Sequence, residues 1–218
     1  MSELSDRVIL VVGSTGGLGS LIAARLEELG ATVLRAARHE PAPLSLDLRD
    51  EKSIRSAVTH IPALDGLVVA AGVVAFGPAD GVSDDTLAEL FEVNAIGPVR
   101  LIREVTPLLT TSAAAGHAPF VVTISGIVAE SPTAGLAAYS ASKAALAAFG
   151  SAASRELRRA GIRLLDARPG HTETALSTHP IAGTAPAFPP GMDPAAVAHR
   201  IVAAIVDDEK DLPSGAFA

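Results

Sequence analysis

Hydrophobic positions in this chain fall into short solid blocks separated by longer stretches of mixed polarity. Val8 to Val12 is an unbroken apolar run rich in β-branched residues, the pattern of a strand buried on both faces. Gly13 to Gly19 is glycine-rich, and a helical pattern follows through Leu29 and stops at Gly30. Thr32 to Ala36 reads as a second strand and Leu44 to Leu46 as a short third. A helix is expected from about Asp50 to Thr59, and a fourth strand over Leu67 to Ala71. Ser83 to about Thr111 is helical in pattern, with a break near Gly97 and Pro98. Phe120 to Ser125 is a fifth strand, a long Ala-rich helix runs from about Ala137 to Ala160, and Ile162 to Ala167 is a sixth strand ended by Pro169 and Gly170. Ser177 to Pro190, rich in Pro, Gly and Thr, reads as a loop, and Pro194 to Val206 as a last helix.

Strands alternating with helices predict an α/β fold with a parallel sheet and helices on both faces. Neither a repeat nor a linker interrupts the alternation, so one domain over residues 1–218 is expected. Ligands of such folds bind at the carboxyl ends of the strands.

Composition narrows the classes. With 49% hydrophobic and 19% charged residues the chain should be globular. Cysteine is absent, which excludes disulfides and thiol chemistry and fits a cytoplasmic protein. The first seven residues are polar and carry Glu3 and Asp6, against a signal peptide, and no apolar run reaches the ~18 residues of a membrane span. A net charge of −7 without a basic cluster argues against nucleic acid. Arg155, Arg158, Arg159 and Arg163 read as a solvated helix end that complements the dipole.

Two constellations carry chemistry. Gly13, Gly17 and Gly19 follow the first strand and open the first helix, where glycines allow backbone to approach a pyrophosphate. The spacing fits G-x-x-x-G-x-G through these three and equally G-x-x-G-x-x-G through Gly13, Gly16 and Gly19. Strand two ends in Ala36, Ala37, Arg38 and His39, with no acid before Glu40 to hold a ribose 2′-hydroxyl. Arg38 suits a 2′-phosphate, so NADP(H) is preferred over NAD(H), although Arg38 also fits a plain surface arginine. Asp47 suits either an adenine amine or the cap of the following helix. The second constellation is Tyr139, the only tyrosine, four residues before Lys143, one of three lysines. On a helix the phenol and the ammonium share a face one turn apart.

The chain resembles the short-chain dehydrogenase/reductase family over about residues 8 to 174. The motifs are Gly13-x-x-x-Gly17-x-Gly19, Leu46-Asp47-Leu48, Ala70-Ala71-Gly72, Val93-Asn94, Ile124-Ser125, Tyr139-Ser140-Ala141-Ser142-Lys143, Pro169-Gly170 and Thr174. The resemblance implies a Rossmann-like, doubly wound parallel sheet of six to seven strands, and hydride transfer between NAD(P) and a carbonyl or alcohol. It makes Tyr139 the general acid/base, Lys143 the group that lowers its pKa and binds the nicotinamide ribose, Ser125 the holder of the substrate oxygen, and Asn94 the support of a water relay. It implies cofactor contacts from Gly13, Ser14, Thr15, Gly17, Leu18, Gly19, Arg38, Asp47, Leu48, Ala71, Gly72, Tyr139, Lys143, Pro169, Gly170, Thr172 and Thr174. No metal is implied. Taken singly, Ser125 also fits a strand end, Asn94 a helix cap or bend, and Thr174 a loop. The chain departs from the family with Val69-Ala70-Ala71-Gly72 in place of Asn-Asn-Ala-Gly, and with Gly126 where serine is frequent. A seventh strand is expected only as a stub near Ala216 to Ala218, and the family implies a homodimer, with a tetramer possible.

A substrate loop over about 175–192, supplying Ala175, Leu176, Ile181, Phe188 and Met192, points to a small, fairly apolar ketone or aldehyde. His171 is a polar substrate contact or a solvated loop residue. An NADP-binding redox sensor without catalysis is the main alternative. A nucleotide-sugar epimerase or dehydratase is disfavoured, because fewer than 50 residues follow Pro169.

Overall fold

A computed structural model describes residues 4–39 and 41–217; Glu40 and Ala218 lie outside the described residues. The strands are β1 (Val8–Val12), β2 (Thr32–Ala37), β3 (Leu44–Ser45), β4 (Gly66–Val69), β5 (Phe120–Ile124) and β6 (Arg163–Ala167). The helices are α1 (Gly17–Glu28), α2 (Glu51–Thr59), α3 (Asp84–Phe91), α4 (Gly97–Ala114), α5 (Ala137–Leu157), α6 (Ala175–Thr178) and α7 (Pro194–Val206). The strands pair in parallel in the order β3-β2-β1-β4-β5-β6. The chain runs outward from β1 to β3, then returns and continues on the other side through β4, so the order reverses beside β1. That reversal opens a crevice at the carboxyl ends of β1 and β4.

The solid apolar blocks are explained by burial on two sides. Along β1, Ile9 and Val11 pack against α1 and α7, through Ile22, Leu26, Ile201 and Ile205. Leu10 and Val12 pack on the opposite face with α2 and α4, through Ile54, Leu101, Val105 and Leu109. A strand covered on both faces has no polar side to alternate with.

Several elements differ from expectation for local reasons. The long helix over Ser83 to Thr111 is α3 and α4 joined by a π-turn, Glu92–Ile96. Gly97 is there for closeness rather than as a break, since a Cβ on it would stand 2.4 Å from the Leu48 carbonyl oxygen. β4 ends at Val69, and Ala70 to Gly72 turn out over the crevice. Asp50 caps α2, accepting the Lys52 N–H at 2.9 Å, so Asp47 is not the cap.

Arg163 does not belong to a solvated helix end. It lies in β6, and its guanidinium donates to the Ala204, Ile205 and Glu209 carbonyls, closing the C-terminus of α7. The seventh-strand stub falls at Leu212, which makes a single parallel bridge to Ala167. Pro213 follows and has no N–H for a ladder, and Ser214–Phe217 coil into a 3₁₀ turn. The loop after β6 contains the one-turn helix α6, with Ala182 bridged to Ala75. No helix among the described residues is long and apolar enough to cross a membrane.

Candidate active site

The turn after β1 is closed from three sides, by backbone at Gly13 and Gly19 and by the Thr174 side chain at Gly17. Gly13 has φ +84°, and a Cβ on it would lie 2.6 Å from the Ala71 nitrogen. A Cβ on Gly19 would lie 2.1 Å from the Gly13 carbonyl oxygen, and one on Gly17 would lie 2.8 Å from the Thr174 Cβ. The nearest neighbour of a Cβ on Gly16 is 3.2 Å away. The tightest positions are therefore Gly13, Gly17 and Gly19, which selects the first of the two spacings. Ser14 is buried and donates to the Ala36 carbonyl at 3.1 Å, pinning the turn to β2. Gly16 caps α1 without a side-chain acceptor, and no acid stands in the first turn. The positive end of α1 is thus left to an anion.

At the end of β2, Arg38 is exposed, with its Nε 2.8 Å from His39 Nε2. Across the crevice the Asp47 carboxylate is gripped by the Arg49 guanidinium, 2.7 Å at the closest, and that bond holds it below the usual carboxylate range against some burial.

Beyond the carboxyl end of β5 the sequence brings four side chains together. Tyr139 sits in the first turn of α5, half-buried, and packs against Leu136 and its neighbours. Lys143 is buried one turn on, its Nζ donating to the Ile124 carbonyl at 2.8 Å and lying 5.9 Å from the Tyr139 ring centre. Asn94 is buried in the π-turn. Its amide donates to the Val73 carbonyl at 2.9 Å and to Ser142 Oγ at 3.0 Å, and its oxygen accepts the Val73 N–H at 3.0 Å. A Cβ on Gly72 would meet Asn94 Oδ1 at 3.2 Å and Lys143 Nζ at 3.3 Å, so Gly72 lets the turn lie against both. Ser125 is fully buried, and its hydroxyl donates to Asp166 Oδ2 at 2.5 Å.

Burial pushes the Tyr139 phenol up to about 12. Burial also pushes Lys143 down to about 8, partly offset by the field of Asp166. Both shifts follow from removing a charge from water.

A short chain dehydrogenase model matches residues 7–182. The chain belongs to the short-chain dehydrogenase/reductase family. It is 30% identical to a dehydrogenase/reductase SDR family protein 7-like of Anopheles gambiae, over 96% of this chain and 75% of that one. Its fold matches a short-chain dehydrogenase of Streptomyces avermitilis at TM-score 0.83 and 28% identity, over 96% of this chain and 88% of that one. It also matches one of Burkholderia cenocepacia in complex with NADP, at TM-score 0.86 over 99% and 90%, where 22% identity carries the fold alone.

In this short-chain dehydrogenase/reductase the glycine turn and the Tyr139 group face one cleft of about 730 Å³. Thr15, Gly17, Leu18, Arg38, Asp47, Leu48, Ala71 and Gly72 line one end of it. Ser125, Tyr139, Lys143, Pro169, Gly170, Thr172 and Thr174 line the other. Gly13 is on its floor, whereas Ser14, Gly19 and Asn94 stand behind the lining and hold it in place. Thr174 both caps α6, accepting the Leu176 N–H at 3.4 Å, and presses on Gly17. Of the substrate-loop residues, Ala175, Leu176 and Phe188 reach the cleft; Ile181 and Met192 do not, because Ile181 bonds back to Val74 and Met192 packs under the sheet. His171 lines the wall and stacks on Phe188 with ring centres 4.6 Å apart, so it is not a free loop histidine.

Sequence reasoning missed the wall residues Phe76, Thr133 and Leu136. It also missed Asp166. An acid inside the otherwise apolar run Leu164 to Ala167 was the available signal. Gly126 has φ +81°, which accounts for glycine there. No group of three metal-ligating acids or histidines gathers among the described residues.

Proposed function

We propose that this cleft reduces a small, fairly apolar ketone or aldehyde with NADPH, reversibly, and that Tyr139 is the general acid. The carrying observation is that Tyr139, Lys143 and Ser125 face the glycine turn across one cleft. The residues present suit a nicotinamide dinucleotide: a cradle that any Cβ would fill, an unneutralised helix N-terminus for the pyrophosphate, and apolar walls at Leu46 and Leu48 for the adenine. Arg38 would take a 2′-phosphate, Asp47 the adenine amine, Lys143 the nicotinamide ribose and Thr174 the carboxamide.

When bound, the reduced nicotinamide supplies hydride to the carbonyl carbon. Negative charge then grows on the carbonyl oxygen, and the Tyr139 phenol gives it a proton. Lys143 stabilises the phenolate left behind, and the proton is restored from solvent on the Lys143 side, where Asn94 holds Val73 and Ser142 in place. In alcohol oxidation the phenolate is the base, favoured by the positive charges of Lys143 and the oxidised nicotinamide. Because the phenol is raised to about 12, reduction has its acid ready at neutrality, and oxidation should accelerate with rising pH only up to about 8, where Lys143 begins to lose the charge that favours the phenolate.

Cofactor choice is tested by titrating NADPH and NADH into the wild type and Arg38→Ala. The wild type should bind NADPH more tightly. Loss of a charge-assisted phosphate contact should weaken NADPH by roughly 10- to 100-fold and leave NADH nearly unchanged. An unaltered NADPH/NADH ratio would remove Arg38 from the account. A homodimer through α4 and α5 and a cytoplasmic location complete this reading.

A further inference from the structure

We propose that Asp166 sets the hydrogen-bond polarity of Ser125: as a carboxylate it makes the serine an acceptor that fits an alcohol, and as a carboxylic acid it frees the serine to donate to a carbonyl. This rests on the oxidoreductase reading above.

The geometry is that of a buried clamp. Asp166 is the penultimate residue of β6, in register with Thr123 of β5. Its Oδ1 accepts from Thr123 Oγ1 at 2.7 Å and its Oδ2 from Ser125 Oγ at 2.5 Å. Thr123 and Ser125 are both fully buried, and Asp166 is 7% exposed. A hydroxyl has one proton and two lone pairs, whereas a carboxylate has no proton to give. While Asp166 is ionised, the Ser125 proton therefore lies on the bond to Asp166. The serine can then meet a substrate oxygen only with a lone pair, which matches an alcohol O–H and opposes a carbonyl oxygen. When Asp166 holds a proton, it can donate to Ser125 Oγ, and the serine proton is released toward the cleft. Asp166 gives no proton to the product; hydride still comes from the nicotinamide and the proton from Tyr139.

The charges facing Asp166 pull against its burial. Arg168, from the end of β6, places Nη1 3.4 Å from Oδ2, but its guanidinium is shared with Glu130 and Asp211. Lys143 acts from α5 through its field. On the α5 side a Cβ built on Gly150 would stand 4.0 Å from the Asp166 Cβ, and glycine puts no side chain there. Burial outweighs the Ser125 and Thr123 hydrogen bonds and the Arg168 charge, and the carboxyl titrates above its ordinary range. The sign follows: the acid form persists to higher pH than in an exposed aspartate and is lost as pH rises through the raised value. Low pH then favours carbonyl binding, high pH alcohol binding.

Asp166→Asn keeps the shape and fixes one donor and one acceptor at every pH. The test measures KM and kcat against pH for cyclohexanone, acetophenone and other apolar ketones with NADPH, and for the matching alcohols with NADP. In the wild type, ketone KM should rise and alcohol KM fall as pH passes through the Asp166 titration. In Asp166→Asn both trends should vanish and alcohol KM should rise by about tenfold, the worth of one hydrogen bond to a reacting oxygen. NADPH affinity should be unchanged, which reports folding. Infrared difference spectra should show a buried protonated carboxyl at low pH in the wild type and lack it in Asp166→Asn. Should that variant fail to bind NADPH, Ser125→Ala carries the test, since it must lose the pH dependence of ketone KM. Wild-type pH trends retained in either folded variant, or no Asp166 carboxyl band, would overturn the proposal. A wild type that turns over no pair refutes the oxidoreductase reading itself, and this inference with it.

Discussion

Tyr139→Phe should bind NADPH as tightly as the wild type and reduce ketones about 10²- to 10⁴-fold more slowly, the usual worth of a positioned general acid. The substitution removes one hydroxyl and keeps the ring. That ring packs with Val74, Phe76 and Leu136, and Phe preserves those contacts. The Lys143 ammonium would remain bonded to the Ile124 carbonyl, so the floor of the site should not shift. The loss should therefore appear in kcat and leave the dissociation constant unmoved, which is the signature of an interaction made only in the transition state. Cofactor titration by fluorescence together with steady-state kinetics on one ketone separates the two quantities. A fall in NADPH affinity matching the fall in rate would make Tyr139 a structural residue.

The second large effect is expected at Gly19. A Cβ there would stand 2.1 Å from the Gly13 carbonyl oxygen. The turn cannot retreat, because Gly13 is itself 2.6 Å, by the same measure, from the Ala71 nitrogen and holds φ +84°. Overpacking of this kind costs about 1–3 kcal/mol or more when backbone must move. Gly19→Ala should thus weaken NADPH by at least about tenfold and lower thermal stability. Gly215→Ala is the control, since nothing lies within 4 Å of a Cβ at that position. Isothermal titration of both variants checks the contrast. Equal affinity in the two would mean that the turn is not the pyrophosphate site.

The parts of the molecule that sequence made legible are those where one residue type answers one local demand. The apolar block Val8 to Val12 could be read as a strand because burial on both faces permits nothing else. Gly13, Gly17 and Gly19 were legible as a turn, but their two possible spacings were separated only by distances across the chain, to Ala71 and Thr174. The π-turn at Asn94 was not legible, since its backbone is set by contacts with Val73 and Ser142 far along the chain. Arg163 looked like its basic neighbours until the end of α7 was seen to rest on it. The expected stub at Ala216 failed because Pro213 cannot extend a ladder begun at Leu212. The Tyr139–Lys143 spacing correctly placed both groups on one face, yet charge alone did not give their ionisation. Burial raises the phenol and lowers the ammonium, the latter partly offset by Asp166.

A single-turnover experiment distinguishes hydride transfer in the cleft from mere binding of a dinucleotide. Wild-type protein saturated with NADPH is mixed with each member of an apolar ketone and aldehyde panel, and loss of reduced-nicotinamide absorbance is followed alongside alcohol formation. One alcohol should form per NADPH consumed with at least one member of the panel. NADPH that binds saturably and stays unoxidised with every member would contradict it and leave a protein that binds the cofactor without catalysis.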